Sequence, residues 1–452
     1  MIPETAGLRR CLGPVAVTGQ AVATVGLTLT AVINIPAAAQ GAGRGTWIAY
    51  AIALVAIVLV SETLVLFRHQ PAQAGGIAGY VGVGLGPQAG SLASWALLLG
   101  YGAASLACLA FLGFYLTQLA SHFGLPLLPA AALLLGGLTC LELARRDVQL
   151  STTTMLLSEG ISVLIVLGLC LVVLHHGGPA ADLQALNPIG DSADQVRRGL
   201  MVAVLSFIGF ESAANLGTEA LRPELAVPRA LRTAVFVAGG LFLFWAVVLT
   251  EGLAWLPAAQ RTTLDPISLL ADQLGQPGAG RWIELGALLC LFGSSLGSLT
   301  ALGRVSFGLA ELGVLPRWLA NVHPRYGTPH LALLSLGLPL IGLGAWLVQR
   351  GMGAQSLYNL LGGFSVLGFL LVYGLVAVAS LQGPLAGSSS RRRALVGAGS
   401  LVAVVAVAIG YLWSAIGHQN GLLLSFLALM GLGSALVARQ RWSQRASQRQ
   451  SG

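Results

Sequence analysis

The stretch Ser206-Phe207-Ile208-Gly209-Phe210-Glu211-Ser212-Ala213-Ala214-Asn215 places a carboxylate two residues after a glycine, inside an apolar run from about Gly199 to Ala220. A charged side chain at the centre of a bilayer costs about 2.5–3.5 kcal/mol on insertion scales. Such a group either has a task or is answered by a neighbouring arginine or a water-filled vestibule. A second acid, Glu159, stands beside Ser158 in another apolar run. Low dielectric favours the neutral form of any carboxyl group, so Glu211 and Glu159 are placed to take up and release a proton. Glu159 could instead tie its helix to a neighbour. Hydroxyls recur in two more apolar runs. Thr28 and Thr30 lie beside Gly26, Leu29 and Ala31, and Asn34 follows one turn later. Ser294, Ser295, Ser298 and Thr300 offer oxygens to a sodium ion, or simply let helices approach closely. The pair His175-His176 has no third ligand nearby and reads as a solvated loop; no metal site is expected. Five scattered cysteines show no ligand spacing. No convergent set of acids, histidines and cysteines suggests an enzyme, no ATP-binding motif occurs, and no cofactor is expected.

These residues must be held by helices that cross a bilayer. The 452-residue chain is 56% hydrophobic and only 9% charged, against about 25% in soluble domains. It is therefore polytopic, with short loops. A span needs roughly 20 mostly apolar residues. That rule gives twelve, near 14–40, 46–67, 90–118, 125–144, 150–174, 200–220, 230–253, 282–308, 329–348, 355–380, 394–416 and 420–438. The basic residues are all arginine. With the N-terminus in the cytoplasm, most of them fall on that side, including Arg145, Arg146, Arg391, Arg392 and Arg393. Both termini are then cytoplasmic. The net charge of +8 records topology in the cell membrane, not nucleic-acid binding. The tail from Arg439 is placed near anionic lipid headgroups.

The chain divides into a cytoplasmic segment 1–13, a first five-helix unit 14–175, an outer loop 176–199, a second five-helix unit 200–380, two extra helices 381–438 and a cytoplasmic tail 439–452. Gly26 to Thr30 in span 1 and Ser206 to Glu211 in span 6 occupy corresponding places in the two units. Interrupted helices at matching positions point to a transporter site at the midplane. An odd number of spans per unit makes the two units opposite in orientation.

The ordered residues also carry a resemblance. Phe207 to Ala213, continuing through Thr218-Glu219-Ala220, Arg222-Pro223 and Val227-Pro228-Arg229-Ala230, resembles the sixth span of the amino acid–polyamine–organocation (APC) permeases. Pro71 to Tyr80 resembles the end of their second span, and Ser94 to Tyr101 their third. Arg304 to Ala310, Gly313 to Pro316, His323-Pro324-Arg325 and Thr328-Pro329 resemble their eighth span and the loop after it. The resemblance covers roughly residues 14–380.

It implies an all-α, LeuT-type fold: a 5+5 inverted repeat plus two helices, with helices 1 and 6 broken. Spans 1, 2, 6 and 7 would rock against a scaffold of 3, 4, 8 and 9, with spans 5 and 10 as gates. A small amino acid or amine would sit between the breaks near Thr28 to Ala31 and Phe207 to Phe210. Its carboxylate would meet N–H groups at a half-helix start, and its ammonium the carbonyls at a half-helix end. The implied substrate residues are Gly26, Thr28, Thr30, Ala31, Tyr101, Ser206, Phe207, Gly209 and Phe210. Glu211 and Glu159 would couple to protons, and Ser294, Ser295 and Ser298 would serve a competing sodium ion. Two departures stand out. Counting back from Pro36, the family's glycine-serine/threonine-glycine run falls on Leu29, Thr30 and Ala31, which lack both glycines. Leu205 replaces the aromatic that stacks on guanidinium in arginine-exchanging relatives, which argues against arginine or agmatine. The function implied is proton-coupled secondary transport by alternating access. Sodium coupling, exchange of another organic substrate, or a transport-dead sensor on the same scaffold are the alternatives.

Overall fold

The computed structural model describes residues 8–70, 75–177, 193–275, 278–382, 385, 388–415 and 420–450. Pro71, Asp182 and Asp191 lie outside the described residues. Every regular element described is a helix, apart from one bridge pairing Leu12 with Ala220. In order they are α1 (Pro14–Val25), α2 (Leu27–Leu29), α3 (Ile35–Ala42), α4 (Thr46–Val65), α5 (Ile77–Leu85), α6 (Pro87–His122), α7 (Pro129–Arg146), α8 (Val148–Gly177) and α9 (Ala193–Phe207). There follow α10 (Pro223–Ala254), α11 (Ala258–Arg261), α12 (Pro266–Leu274), α13 (Gly280–Glu311), α14 (His330–Gln349), α15 (Ala354–Leu381), α16 (Ser390–Ala415) and α17 (Asn420–Gln450). A π turn, Thr30–Asn34, joins α2 to α3, and a 3-10 run, Phe210–Leu216, follows α9.

Ten described runs are long and apolar enough to cross a membrane. The first, Pro14–Val65, has 52 residues. At 1.5 Å per residue that is about 78 Å, more than twice the hydrocarbon thickness of about 30 Å. It is not one rod, because Gly43 at φ 55° turns the chain after α3. α7 falls outside the ten; Glu142, Arg145 and Arg146 lie near its C-terminal end. The lateral surface exposes large apolar side chains such as Leu164, Leu171, Val402 and Leu424. So much uncovered apolar surface belongs in lipid, where the helices satisfy their own backbone.

Proline and aspartate set several helix starts. Pro87, Pro129, Pro223 and Pro266 stand in first turns, where a missing N–H costs nothing. Asp265 caps α12 by accepting from the Ser268 N–H at 3.2 Å. Packing sorts the helices into two groups. α10 packs on α1 and α4, and α4 on α9; α6, α7, α13 and α14 form a second set, which α1 also touches through α13. α8 leans on α13 and α1, while α15 leans on α6 and α16.

Among the described residues, one ion pair lies wholly inside. Arg304 on α13 donates to both carboxylate oxygens of Glu219, at 2.7 and 3.0 Å, and both side chains are 0% exposed. Arg304 also donates to the Thr300 carbonyl at 3.1 Å. The Glu219 carbonyl accepts from the Cys11 and Leu12 N–H groups, and the Leu12 carbonyl accepts from the Leu221 N–H. The segment before α1 is thereby stitched to the segment after the 3-10 run.

Candidate functional site

Two glycines open two helices against each other. Gly26, between α1 and α2, has φ 70° and ψ 74°. Gly209, between α9 and the 3-10 run, has φ 113° and ψ −18°. An L side chain is disfavoured at both angles. Neither has space for one: a Cβ on Gly26 would stand 2.6 Å from Ser294 Oγ, and one on Gly209 would stand 2.8 Å from the Thr24 carbonyl. The two breaks therefore touch across the Thr24–Gly209 contact.

The break in the first helix falls at Gly26, the first residue of the Gly26 to Thr30 patch and two residues before the Thr28 to Ala31 stretch. Leu29, Thr30 and Ala31 are not where the helix opens, so their lack of glycine does not close it. The break in the later helix lies at Gly209, within the expected Phe207 to Phe210.

Beside the breaks lies a cavity of about 50 Å³. A water needs roughly 10–15 Å³ measured the same way, so it is a small space. The ends of the interrupted helices line it through Thr24, Val25, Leu205 and Ile208, and Gly209 and Leu29 complete that wall. Tyr101 and Cys108 come from α6, Ser294 and Ser298 from α13, and Tyr358, Ser365 and Phe369 from α15. The lining is apolar with isolated hydroxyls and, among the described residues, carries no charged side chain.

Charge lies one layer behind. Glu211 is 1% exposed. Tyr101 donates to its Oε1 at 2.8 Å, Tyr373 to its Oε2 at 2.6 Å, and the Gly209 N–H to Oε2 at 3.1 Å. The Asn215 amide donates to the Tyr101 oxygen at 2.9 Å, which turns that phenol's own hydrogen toward Glu211. Two helices, α6 and α15, and the 3-10 run with its leading glycine thus meet on one carboxylate. Its described partners are hydroxyls and an amide, with no arginine among them.

Glu159 on α8, also 1% exposed, sits at the first break. Its Oε1 accepts from the Leu27 N–H at 2.6 Å and the Thr28 N–H at 3.4 Å. Cys290 lies 3.6 Å away and accepts in turn from the Leu29 N–H at 3.1 Å. On the far side of the cavity, Tyr358 donates to Asn34 Oδ1 at 2.8 Å.

Of the residues singled out in the sequence, Tyr101, Gly209, Ser294 and Ser298 line the cavity, as do Leu29 and Leu205, and Gly26 forms the break beside it. The others point elsewhere. Thr28 faces α8 and donates to Ser162 at 3.0 Å. Ser206 bonds to Tyr50 at 2.9 Å, and the Phe207 ring packs against Phe242 at 5.0 Å. Phe210 lies against Tyr373, ring to ring at 5.9 Å. Thr30, Ala31 and Ser295 are buried outside the cavity wall. The contribution of α15 is not among the residues that the sequence singles out. A signal for it exists: Tyr358, Ser365, Phe369 and Tyr373 recur at spacings that fall on one helix face.

Two acids near helix ends, Glu62 and Glu284, are paired. Glu62 binds Arg232 in two contacts at 2.6 and 2.8 Å and also binds Arg392 at 2.9 Å. Glu284 meets His122 at 2.8 Å.

Comparison with known proteins agrees with this architecture. The family profile described as amino acid permease matches residues 14–382. An uncharacterized transporter of Mycobacterium tuberculosis is 27% identical over 92% of this chain and 89% of its own length. The branched-chain amino acid permease BcaP of Bacillus subtilis is 25% identical, with 66% of each chain covered. The low-affinity putrescine importer PlaP of Escherichia coli is 24% identical, with 64% of each chain covered. With broken helices meeting at a small buried cavity and a family match across most of its length, the chain belongs to the amino acid permease family of the APC superfamily and is a multi-pass membrane transporter.

Proposed function

We propose that the chain is a secondary active transporter that moves an amino acid or a related amine across the cytoplasmic membrane by alternating access, with the proton as its coupling ion. The observation that carries this reading is Glu211. It is a buried carboxylate without a cationic partner among its described contacts, set where two interrupted helices meet and one phenol away from the cavity. Its two hydroxyl donors come from α6 and α15, outside the group that holds α1 and α9. A proton arriving on Glu211 changes what Tyr101 and Tyr373 can donate to, so it alters the contact between the two helix groups. That gives the proton differential interaction with two conformations, which coupling requires.

The topology follows the same reading. Pro14–Val65 supplies two crossings and α7 one more, which with the remaining nine runs makes twelve. Two five-helix units of opposite orientation precede α16 and α17, and both termini lie in the cytoplasm, where arginine is concentrated. The relatives named for branched-chain amino acids and for putrescine support a small amino acid or amine as cargo.

The test is a thermal-shift screen of the purified protein across amino acids and amines. A ligand at about 100 times its Kd stabilises the folded state by about 2.7 kcal/mol. Hits are then offered to proteoliposomes. Uptake that persists when potassium replaces sodium supports the proton; loss of uptake would move coupling to Ser294, Ser295 and Ser298. A ligand that binds but is never carried would replace the transporter with a sensor on the same scaffold.

A further inference from the structure

Helices begin with N–H groups that lack partners within the helix, and the negative pole of a helix lies at its other end. At this site the two kinds of end are treated differently. The helical run that starts at Leu27 continues through the π turn to Ala42. Every one of its leading donors is already used. The Leu27 and Thr28 N–H groups go to Glu159, the Leu29 N–H goes to Cys290, and the Thr30 N–H goes to the Gly26 carbonyl. At the second break the Gly209 N–H goes to Glu211. Both acids belong to the protein, and both are buried.

The opposite ends lie beside the cavity, where the Ala23 carbonyl already accepts from Ser294 and the Leu205 carbonyl from the Ile208 N–H. Thr24 and Val25 close α1, and Leu205 and Ile208 lie at the close of α9; all four line the space. Carbonyl-rich helix ends attract a cation. Glu159 Oε2 is buried and has no hydrogen-bond partner among the described residues. A buried acceptor in that condition carries a desolvation penalty that a donor would relieve. The surroundings of the cavity therefore combine two carboxylates and two helix C-termini, with no basic side chain among the described residues of its wall. A ligand carboxylate would find the N–H donors of the first break taken and two carboxyl groups close by.

We infer that Glu159 is a built-in stand-in for a ligand carboxylate, and that the cavity is specific for a small primary amine that carries no carboxylate. Glu159 is thus a specificity-determining residue, acting by occupying the Leu27 and Thr28 N–H groups. The inference rests on the transport reading above and narrows its cargo from amino acids and amines to amines alone.

The experiment compares amines with their parent amino acids, using the full chain in proteoliposomes: isobutylamine with valine, isoamylamine with leucine, and putrescine with ornithine. In the wild type, at least one amine is expected to be taken up about tenfold or more better than its parent acid. Glu159→Ala frees the Leu27 and Thr28 donors and is expected to narrow that ratio by about tenfold, through gain of the amino acid. Glu159→Gln keeps an oxygen on Leu27 and should narrow it less. Parent acids carried as well as their amines by the wild type would overturn the inference and leave the transport reading standing. So would a ratio unmoved in a folded Glu159→Ala. If that variant does not fold, the wild-type ratios decide alone. No uptake of either member of any pair would overturn the transport reading itself, and the inference with it.

Discussion

Glu211 holds three hydrogen-bond donors, from Tyr101, Tyr373 and the Gly209 backbone, with no arginine among its described partners to compete for them. A hydrogen bond to a charged group is worth about 1.5–3 kcal/mol. Tyr373→Phe is therefore expected to cut gradient-driven uptake by about tenfold, with the fold retained by circular dichroism. An unchanged rate would remove Tyr373 from the site. Glu211 is legible in the sequence because a lone acid in an apolar run is costly. Its partners are not. Tyr101 comes only with the family resemblance, and Tyr373 lies far along the chain in a helix whose hydroxyls look like ordinary packing. Glu159 is legible as an acid, whereas its grip on the Leu27 N–H depends on the helix opening at Gly26, which a single sequence does not link to a residue of α8.

The helices are positioned by residues that sequence alone ranks poorly. Gly26 and Gly209 differ from most glycines here in needing both a positive φ and a missing Cβ. Gly209→Ala should cost about 1–3 kcal/mol from crowding against Thr24, besides the backbone strain. Gly240 in α10 would have nothing within 4 Å of an added Cβ, so Gly240→Ala should be neutral or stabilise by up to about 1 kcal/mol. Thermal unfolding of the two variants in one detergent checks the contrast; equal losses would contradict it. A second prediction concerns α12, which packs outside the crossing helices. Burial raises the Asp265 carboxyl from 3.8 to about 6, the Ser268 contacts oppose that rise, and Glu284 adds to it. Tyr115 also reaches this group, and His122 holds Glu284. The folded state thus binds a proton more tightly than the unfolded state between those values. Stability falls as pH rises through that window and stays lower above about 6. Hydrogen exchange in Pro266–Leu274, corrected for intrinsic rates, is expected to be slower at pH 5 than at pH 7. Asp265→Asn should abolish the difference.

For the whole molecule, Arg304 and Glu219 join α13 to the segment after the 3-10 run, and through Leu12 to the start of the chain. Removing one member of a buried pair strands the other, at about 3–5 kcal/mol. Glu219→Gln should therefore lower thermal stability much more than the double change Glu219→Leu with Arg304→Met, measured in the same detergent. The membrane class is plain from 9% charge and long apolar runs. Apolar runs of spanning length, ten among the described residues, follow because bilayer thickness fixes how long a crossing must be. The pairing of helices does not, since lipid-facing and core-facing residues are equally apolar in such a chain; it comes from the family resemblance. Arg304 is visible in the sequence only as part of a motif, and its partner only as the neighbour of Ala220. The central claim is that Glu211 couples protons to cargo movement. Its most direct measurement is uptake of a thermal-shift hit into proteoliposomes under an imposed inward proton gradient, for wild type and Glu211→Gln side by side. Wild type is expected to accumulate cargo above equilibrium and to collapse to equilibration when the gradient is dissipated, whereas Glu211→Gln equilibrates cargo in both conditions. Accumulation by Glu211→Gln that still follows the gradient would contradict the claim.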